Sequence, residues 1–428
     1  MKVVILGAGF GGLRLARKLN NRAGFEVVLI DRFNYHQFQP LFYQVATAGL
    51  DASNISFPLR KVFQRSRNVR IRLATVKQIC PDKHTVITDH EEISYDQLVL
   101  AMGADSNFFG SDNLAGHAFP MKSTVEALQI RYRLLQNFEE ALTTKGEDRV
   151  GELMTIVVVG GGPTGVEIAG ALAEMRKYVL PKEYPELDFS RMRIILLEGS
   201  EKTLGAMSGK SSCRSAKYLA KLGVEVFTNT LLKDYDGHLA VLNNGKSIRT
   251  ATLIWAAGIK GNIPEGIDKK LIVKGNRIIA NKYCQVEGHP DIFVIGDLAL
   301  MKVEKYPDGH PQVAPVAIQQ ASVVARNLRI WQKTHSREGW RGFSYRDKGS
   351  MATVGRNLAV VDIPRPRMYL GGFPAWLIWM GLHLMLILGV KNRFFVFVNW
   401  LYNYITYDQN LRLIFREFDR KKVPDTGA

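Results

Sequence analysis

The stretch Lys2-Val3-Val4-Ile5-Leu6-Gly7-Ala8-Gly9-Phe10-Gly11-Gly12 decides the fold. Residues 2–6 are short, apolar and β-branched, the signature of a buried parallel strand. Gly7, Gly9 and Gly12 follow at once, and Leu13, Ala16 and Leu19 then recur at helical spacing. A second apolar run, Glu26 to Ile30, ends at Asp31. Each piece has a physical task. Gly7 permits the tight turn from strand to helix, Gly9 lets the backbone approach a pyrophosphate, and Gly12 lets the helix pack close to the strand. The helix N-terminus offers free N–H groups and a positive dipole end. Asp31 stands where a carboxylate bonds the ribose hydroxyls of an adenosine.

The pattern recurs. Ile156 to Val159 read as a strand, and Gly160, Gly162 and Gly165 follow as GGGPTG. A helix is predicted from about Val166, with Ile168, Ala169, Leu172 and Met175 on its apolar side. Ile194 to Leu197 read as the next strand, closed by Glu198. Residues 178–191, with Pro181 and Pro185, look like an insertion between helix and strand. Glu198 accepts bonds from ribose hydroxyls and repels a 2′-phosphate, so NADH rather than NADPH is expected here. Two dinucleotide folds in one chain imply one resident and one diffusible cofactor. A nicotinamide gives up a hydride and a flavin accepts it, so FAD with NADH is the natural pair.

The bulk numbers fit. A chain of 428 residues suggests two to three domains. The formal net charge is +17, which suits an anionic membrane surface; no helix-turn-helix, finger or RNP-type signature supports nucleic acid. Cys80, Cys213 and Cys284 are far apart and form no CxxC. They make neither a disulfide framework nor a redox pair, and a reducing compartment fits best. No His, Cys and carboxylate spacing suits a metal. The run after Lys2 is too short for a secretory signal, so the cytoplasm or the cytoplasmic face of a membrane is expected.

The chain resembles the two-dinucleotide-binding-domain flavoproteins. Asp291-Ile292-Phe293-Val294-Ile295-Gly296-Asp297 is similar to their second FAD motif, Leu98 to Gly103 to the linker leaving the first domain, and Leu253 to Gly258 to its counterpart. The resemblance implies that FAD binds residues 1 to about 110 and about 275–330, with NADH on about 120–265. It implies Asp297 on the ribityl or pyrophosphate part of FAD and Val76 on adenine. It also places Phe10, Gly11, Arg32, Tyr43, Ala101, Gly103 and Ala317 at the flavin cofactor, and Thr164, Ala257 and Gly258 at the nicotinamide nucleotide. His36 is read as a positioning residue.

Further segments are similar to the type II NADH:quinone oxidoreductases, single-subunit and non-pumping: Asp31 to Ala48, Gly165 to Gly170, and Lys348 to Arg356. The likeness runs from residue 1 to about 415. It implies that Glu167 serves proton transfer or nicotinamide positioning near the flavin. It also implies a quinone signature AQxAxQ, matched here by Ala314-Pro315-Val316-Ala317-Ile318-Gln319. Pro315 replaces the first Gln; Gln319 and Gln320 remain as quinone candidates, with Pro315 shaping the tunnel mouth.

Phe373 to Val390 is almost uninterrupted apolar sequence, and Phe394 to Tyr407 follows after Lys391, Asn392 and Arg393. A spanning helix needs about 20 apolar residues. A buried hairpin and monotopic insertion are the other readings, and the flanks favour insertion. Trp376, Trp379, Trp400, Tyr402 and Tyr404 suit the headgroup level, and Lys391, Arg393, Arg412 and Arg416 suit anionic lipid.

The expected fold is therefore α/β, with two Rossmann-like dinucleotide-binding domains plus a C-terminal membrane-associating helical module. The expected boundaries are 1–115 and 271–335 for FAD, 116–270 for NADH and 336–428 for the module. The expected activity is electron transfer from NADH through FAD to a membrane quinone by a peripheral, monotopic protein; a homodimer through the C-terminal module rests on resemblance. Two rivals stand beside it: an NADH-dependent reductase of a small iron–sulfur protein, and a non-catalytic redox-sensing interaction protein.

Overall fold

The computed structural model describes residues 1–408 and 412–414. Two five-stranded parallel sheets are built on one plan. The first runs Ile292–Val294, Gln97–Leu100, Lys2–Leu6, Glu26–Asp31, Val69–Leu73. The second runs Phe119–Pro120, Thr252–Trp255, Thr155–Val159, Arg193–Leu197, Glu225–Phe227. In each, the strand that feeds the glycine turn lies at the centre. Val3 to Leu6 and Thr155 to Val159 are buried throughout, as parallel strands covered on both faces must be.

Helix α1 (Phe10–Leu19) follows the first glycine turn. A short helix, α2 (Phe42–Ala46), lies farther along the first half. Helix α3 (Pro163–Tyr178) follows the second turn. It starts three residues earlier than predicted from Val166. Pro163 fits a first helical position, where its missing N–H is unpaired anyway. Pro163 and Thr164 are exposed, so the apolar periodicity begins only after them. The insertion at 178–191 forms a short helix, Leu180–Glu183, and a turn at Phe189–Arg191. Val76 lies beyond the first sheet: the sheet's last strand ends at Leu73, and Val76 opens the next strand, Val76–Cys80.

The two linkers lead into a shared tie. Ala104–Ser106 pairs antiparallel with Ile259–Gly261, in the register Ala104↔Gly261. Helix α4 (Ala314–Thr334) packs along α1. An antiparallel sheet then forms from Ser350–Gly355, Leu358–Pro364 and Arg367–Gly371. Its first strand lies directly on α3. A Cβ added at Gly170 would stand 1.6 Å from the Val354 carbonyl oxygen, so only glycine permits that approach.

The apolar C-terminus forms α5 (Phe373–Leu386) and α6 (Val390–Thr406), separated by a turn in which Gly389 takes φ +81°. Among the described residues no helix is long and apolar enough to cross a membrane. Trp379, His383, Val396 and Trp400 face inward and are buried. This corrects the interfacial placement of Trp379 and Trp400: their rings lie 6.1 Å apart, and Trp400 donates its indole N–H to Gln44. Leu377, Met385, Leu386, Phe394, Phe397 and Ile405 remain exposed on the outer side. Arg412 is ion-paired with Glu183 and Asp408, and Arg393 donates to the Ile387 carbonyl. Arg416 lies outside the described residues.

Candidate functional site

The first glycine turn forms an open cradle. A Cβ at Gly12 would stand 1.8 Å from the Gly7 carbonyl oxygen, and one at Gly7 2.4 Å from the Ala101 carbonyl oxygen. One at Gly9 would meet nothing within 4 Å. The turn is thus closed where helix meets strand and open where a phosphate would lie. Asp31 is tied to the turn, accepting from the Ala8 amide at 2.6 Å and the Phe33 amide at 2.7 Å. Burial raises its pKa and those two amides pull it back. His36 sits behind the cradle, its Nδ1 2.9 Å from the Ala8 carbonyl. Burial lowers its pKa, so it is neutral and Nδ1–H donates to that carbonyl. Phe10 packs edge-on against His36 and Phe38. Arg32 is exposed and paired with Asp105 at 3.1 Å.

The second turn repeats this geometry. A Cβ at Gly165 would stand 1.8 Å from the Gly160 carbonyl oxygen, and one at Gly162 would meet nothing. Glu198 accepts from the Gly161 amide at 2.5 Å and the Ser200 amide at 2.7 Å. The acid is bound to its glycine turn in both halves. Thr164 is exposed at the start of α3, Ala257 is partly exposed and Gly258 exposed, and Phe109 stands against Gly258.

The first cradle is completed from far along the chain. Gln320, buried on α4, accepts from the Gly296 amide at 2.7 Å. Ala317 packs against Gly11 and Gly296. Asp297 follows; burial raises its pKa, and Lys122 and Arg277 pull it down. Gly103 takes φ +67° with open space around it. Open space over Gly9, an acid tied to the turn at Asp31 and a second acid at Asp297 fit a dinucleotide such as FAD.

Pro315 lies in the first turn of α4, where proline is tolerated because that N–H has no helical partner. Gln319 commits both ends of its amide to one residue: Nε2 donates to the Arg346 carbonyl at 2.9 Å, and Oε1 accepts from its amide at 3.0 Å. Pro315, Gln319 and Gln320 are not among the residues lining the cavity that Glu167 lines.

Glu167 instead lines a cavity of about 150 Å³ between α2, α3, the Ser350–Gly355 strand, α5 and α6. At one end stand Tyr43, Thr353 and Trp379, all buried. The Thr353 amide donates to Glu167 Oε1 at 3.3 Å. Burial nevertheless pushes the Glu167 carboxyl up to about 8, so near neutrality it holds a proton. Tyr43 Oη accepts from Gln44 Nε2 at 2.8 Å. Glu174, Arg356 and Gln44 also line the cavity and were not predicted. Glu174 carried a legible signal: it lies seven residues after Glu167, beside the otherwise apolar Leu172, Ala173 and Met175. Arg356 and Gln44 carried none, because their positions depend on distant packing.

Two dinucleotide cradles, one completed by α4, define the class: residues 1–321 match the pyridine nucleotide-disulphide oxidoreductase family, and residues 348–406 match the NDH2 C-terminal domain. The chain is 35% identical to the type II NADH:quinone oxidoreductase Ndh of Mycobacterium tuberculosis, across 95% of this chain and 88% of that one. It is 26% identical to the internal alternative NAD(P)H-ubiquinone oxidoreductase A1, mitochondrial, of Arabidopsis thaliana, across 94% and 84% of the two chains. The structure of NDH2 from Plasmodium falciparum in complex with NADH superposes with a TM-score of 0.87 at 20% identity, covering 97% of this chain and 99% of that one. The chain belongs to the type II NADH:quinone oxidoreductases.

Proposed function

We propose that this chain carries electrons from NADH to a membrane quinone without pumping protons, with FAD as the resident relay. The single observation that carries the division of labour is the doubled cradle, Gly7 to Asp31 and Gly160 to Glu198, each acid bonded to its own turn. The proposed FAD parts are residues 1–115 and 271–335, the NADH part 116–270, and the membrane module 336–428. Bound FAD supplies a two-electron acceptor that takes the nicotinamide hydride and returns the electrons to quinone.

The chain's own residues bind, orient and move protons. Gly9 and Gly162 leave room for the two pyrophosphates, and Asp31 and Glu198 hold the riboses. The proposed ligands also include Gly11, Gly12, Arg32, Ala101, Gly103 and Ala317 for the flavin nucleotide, and Thr164, Gly165, Ala257 and Gly258 for NADH. The cavity of Glu167, Tyr43 and Gln44 is proposed as the quinone end. Protonated Glu167 is the acid available to a quinone oxygen. Gln319 and Gln320 brace α4, through Arg346 and Gly296, against the cradle that α4 completes.

The exposed apolar side of α5 and α6 is proposed to lie in one leaflet, with Lys391 toward anionic headgroups. A peripheral placement on the cytoplasmic face lets a quinone tail arrive from the bilayer and NADH from water. The continuity of that apolar side with the cavity, through Trp376 and Tyr404, supports this reading.

The test is anaerobic. NADH should bleach the flavin, and a quinone analogue should restore its colour within a turnover. Flavin that only a small iron–sulfur protein reoxidises would reject the proposal in favour of that acceptor.

A further inference from the structure

We propose that Glu174 is the outer member of a two-carboxyl proton path along α3, taking protons from water at a mouth framed by Tyr178, Arg356 and Tyr407 and passing them to Glu167. This rests on the reading of the Glu167 cavity as the quinone end. Both carboxyls line one cavity. Seven helical residues separate them by about 10 Å along the axis, two turns on one face. That gap is short enough for a few water molecules to bridge, and the cavity between is polar at both ends.

The two ends differ in the required sense. Around Glu167, the residues Tyr43, Thr353 and Trp379 are buried. Around Glu174, the residues Tyr178, Arg356, Tyr404 and Tyr407 are all partly exposed. Water therefore reaches the Glu174 end first. Glu174 is held in place, its Oε1 accepting from the Arg356 amide at 2.5 Å. The Arg356 guanidinium is sandwiched between the rings of Tyr404 and Tyr407, at 3.9 and 4.0 Å from their centroids, and donates to the Tyr404 carbonyl. Its Nε and Nη1 have no protein partner. A fixed cation thus stands at the mouth beside the outer acid.

The charge environment grades the two groups. Burial pushes Glu174 up to about 7, less far than Glu167, because the Arg356 amide and charge hold it down. Other titratable groups facing the cavity are Tyr43 on α2, Tyr178 on α3, Tyr404 on α6, and Tyr407 just past the end of α6. From α5 come Trp376, Trp379 and Met380, with neutral His383 stacked behind Trp379. A proton on Glu174 moves inward to the stronger base.

The balance is NADH + H⁺ + quinone → NAD⁺ + quinol. The hydride leaving NADH carries two electrons and one proton. The second proton passes from water to Glu174, to Glu167, and then to a quinone oxygen. Each carboxyl ends the cycle with the proton count it began with.

The holoenzyme with Glu174→Gln tests this. Quinone turnover should fall at least about tenfold, while bleaching of the flavin by NADH stays within about twofold of the parent. Glu174→Asp should recover part of the loss. Arg356→Met removes the cation, raises the Glu174 pKa, and should move the alkaline limb of the kcat profile to higher pH. A Glu174→Gln profile matching the parent, with Glu167→Gln slow, overturns the path and leaves the cavity reading standing. Parent-like turnover in both variants overturns both. If Glu174→Gln does not fold, an unmoved alkaline limb in Arg356→Met overturns the path.

Discussion

Glu167→Gln removes one ionisable group and changes little else in shape. In the folded chain burial raises the Glu167 pKa from the ordinary 4.5 to about 8. Between those values the unfolded chain has released its proton and the folded chain still holds it. Stability therefore falls as pH rises through this window, at up to about 1.4 kcal/mol per pH unit. A window of roughly three and a half units gives a loss of about 5 kcal/mol at most. Gln carries no such loss, and its amide oxygen still accepts from the Thr353 amide. The variant should exceed the parent by no more than about 1 kcal/mol at pH 5 and by several kcal/mol at pH 9. Urea unfolding of both holoproteins at pH 5, 7 and 9, followed by tryptophan fluorescence, reads this directly. Comparing the pair cancels every other titrating group. A difference that is the same at pH 5 and pH 9 refutes the claim that Glu167 is protonated by burial. The same variant should bleach normally with NADH and pass electrons to quinone slowly; normal quinone turnover removes its role as the acid.

Other outcomes follow from single positions. Gly12→Ala places a Cβ 1.8 Å from the Gly7 carbonyl oxygen, so purified protein should lose its flavin absorbance; a full complement of flavin contradicts the cradle. Glu198→Gln keeps the shape and removes the charge, and should narrow the preference for NADH over NADPH by about tenfold, or about 1.4 kcal/mol; an unchanged ratio of kcat/KM contradicts its ribose role. Leu377→Glu with Phe394→Glu removes two exposed apolar side chains, each contributing about 1.5–3 kcal/mol when buried, so co-sedimentation with anionic liposomes should fall at least about a hundredfold in affinity; equal pelleting contradicts membrane docking through this side. Gly170→Leu should separate α3 from the Ser350–Gly355 strand, lower the Tm and slow quinone turnover together; wild-type behaviour contradicts the close packing there.

The cradles were legible because their determinants are local. A β-branched run, three glycines at fixed offsets and a terminal acid lie within about thirty residues in the first half, and the structure closes Gly12 on Gly7 and bonds Asp31, at the end of its strand, to the Ala8 amide of the turn. The first turn of α3 is hidden from the apolar pattern, because exposed Pro163 and Thr164 carry no apolar periodicity. The cavity was mostly hidden. Glu174 and Arg356 are 182 positions apart and meet only because Gly170 lets the strand settle on α3. Gln319 reads in the sequence as a quinone candidate, but folding brings the Arg346 backbone to its amide. Trp379 and Trp400 read as interfacial aromatics. Periodicity alone does not say which side of a uniformly apolar helix faces Tyr43 and Gln44.

Electron transfer from NADH to quinone without proton translocation is open to direct measurement. Its most direct measurement is turnover of the purified full chain on liposomes containing a menaquinone or ubiquinone analogue, with NADH consumption, quinol formation and lumenal pH followed together. One quinol should form per NADH, with no lumenal pH change. NADH consumed without quinol, or a pH gradient that builds with turnover, would contradict it.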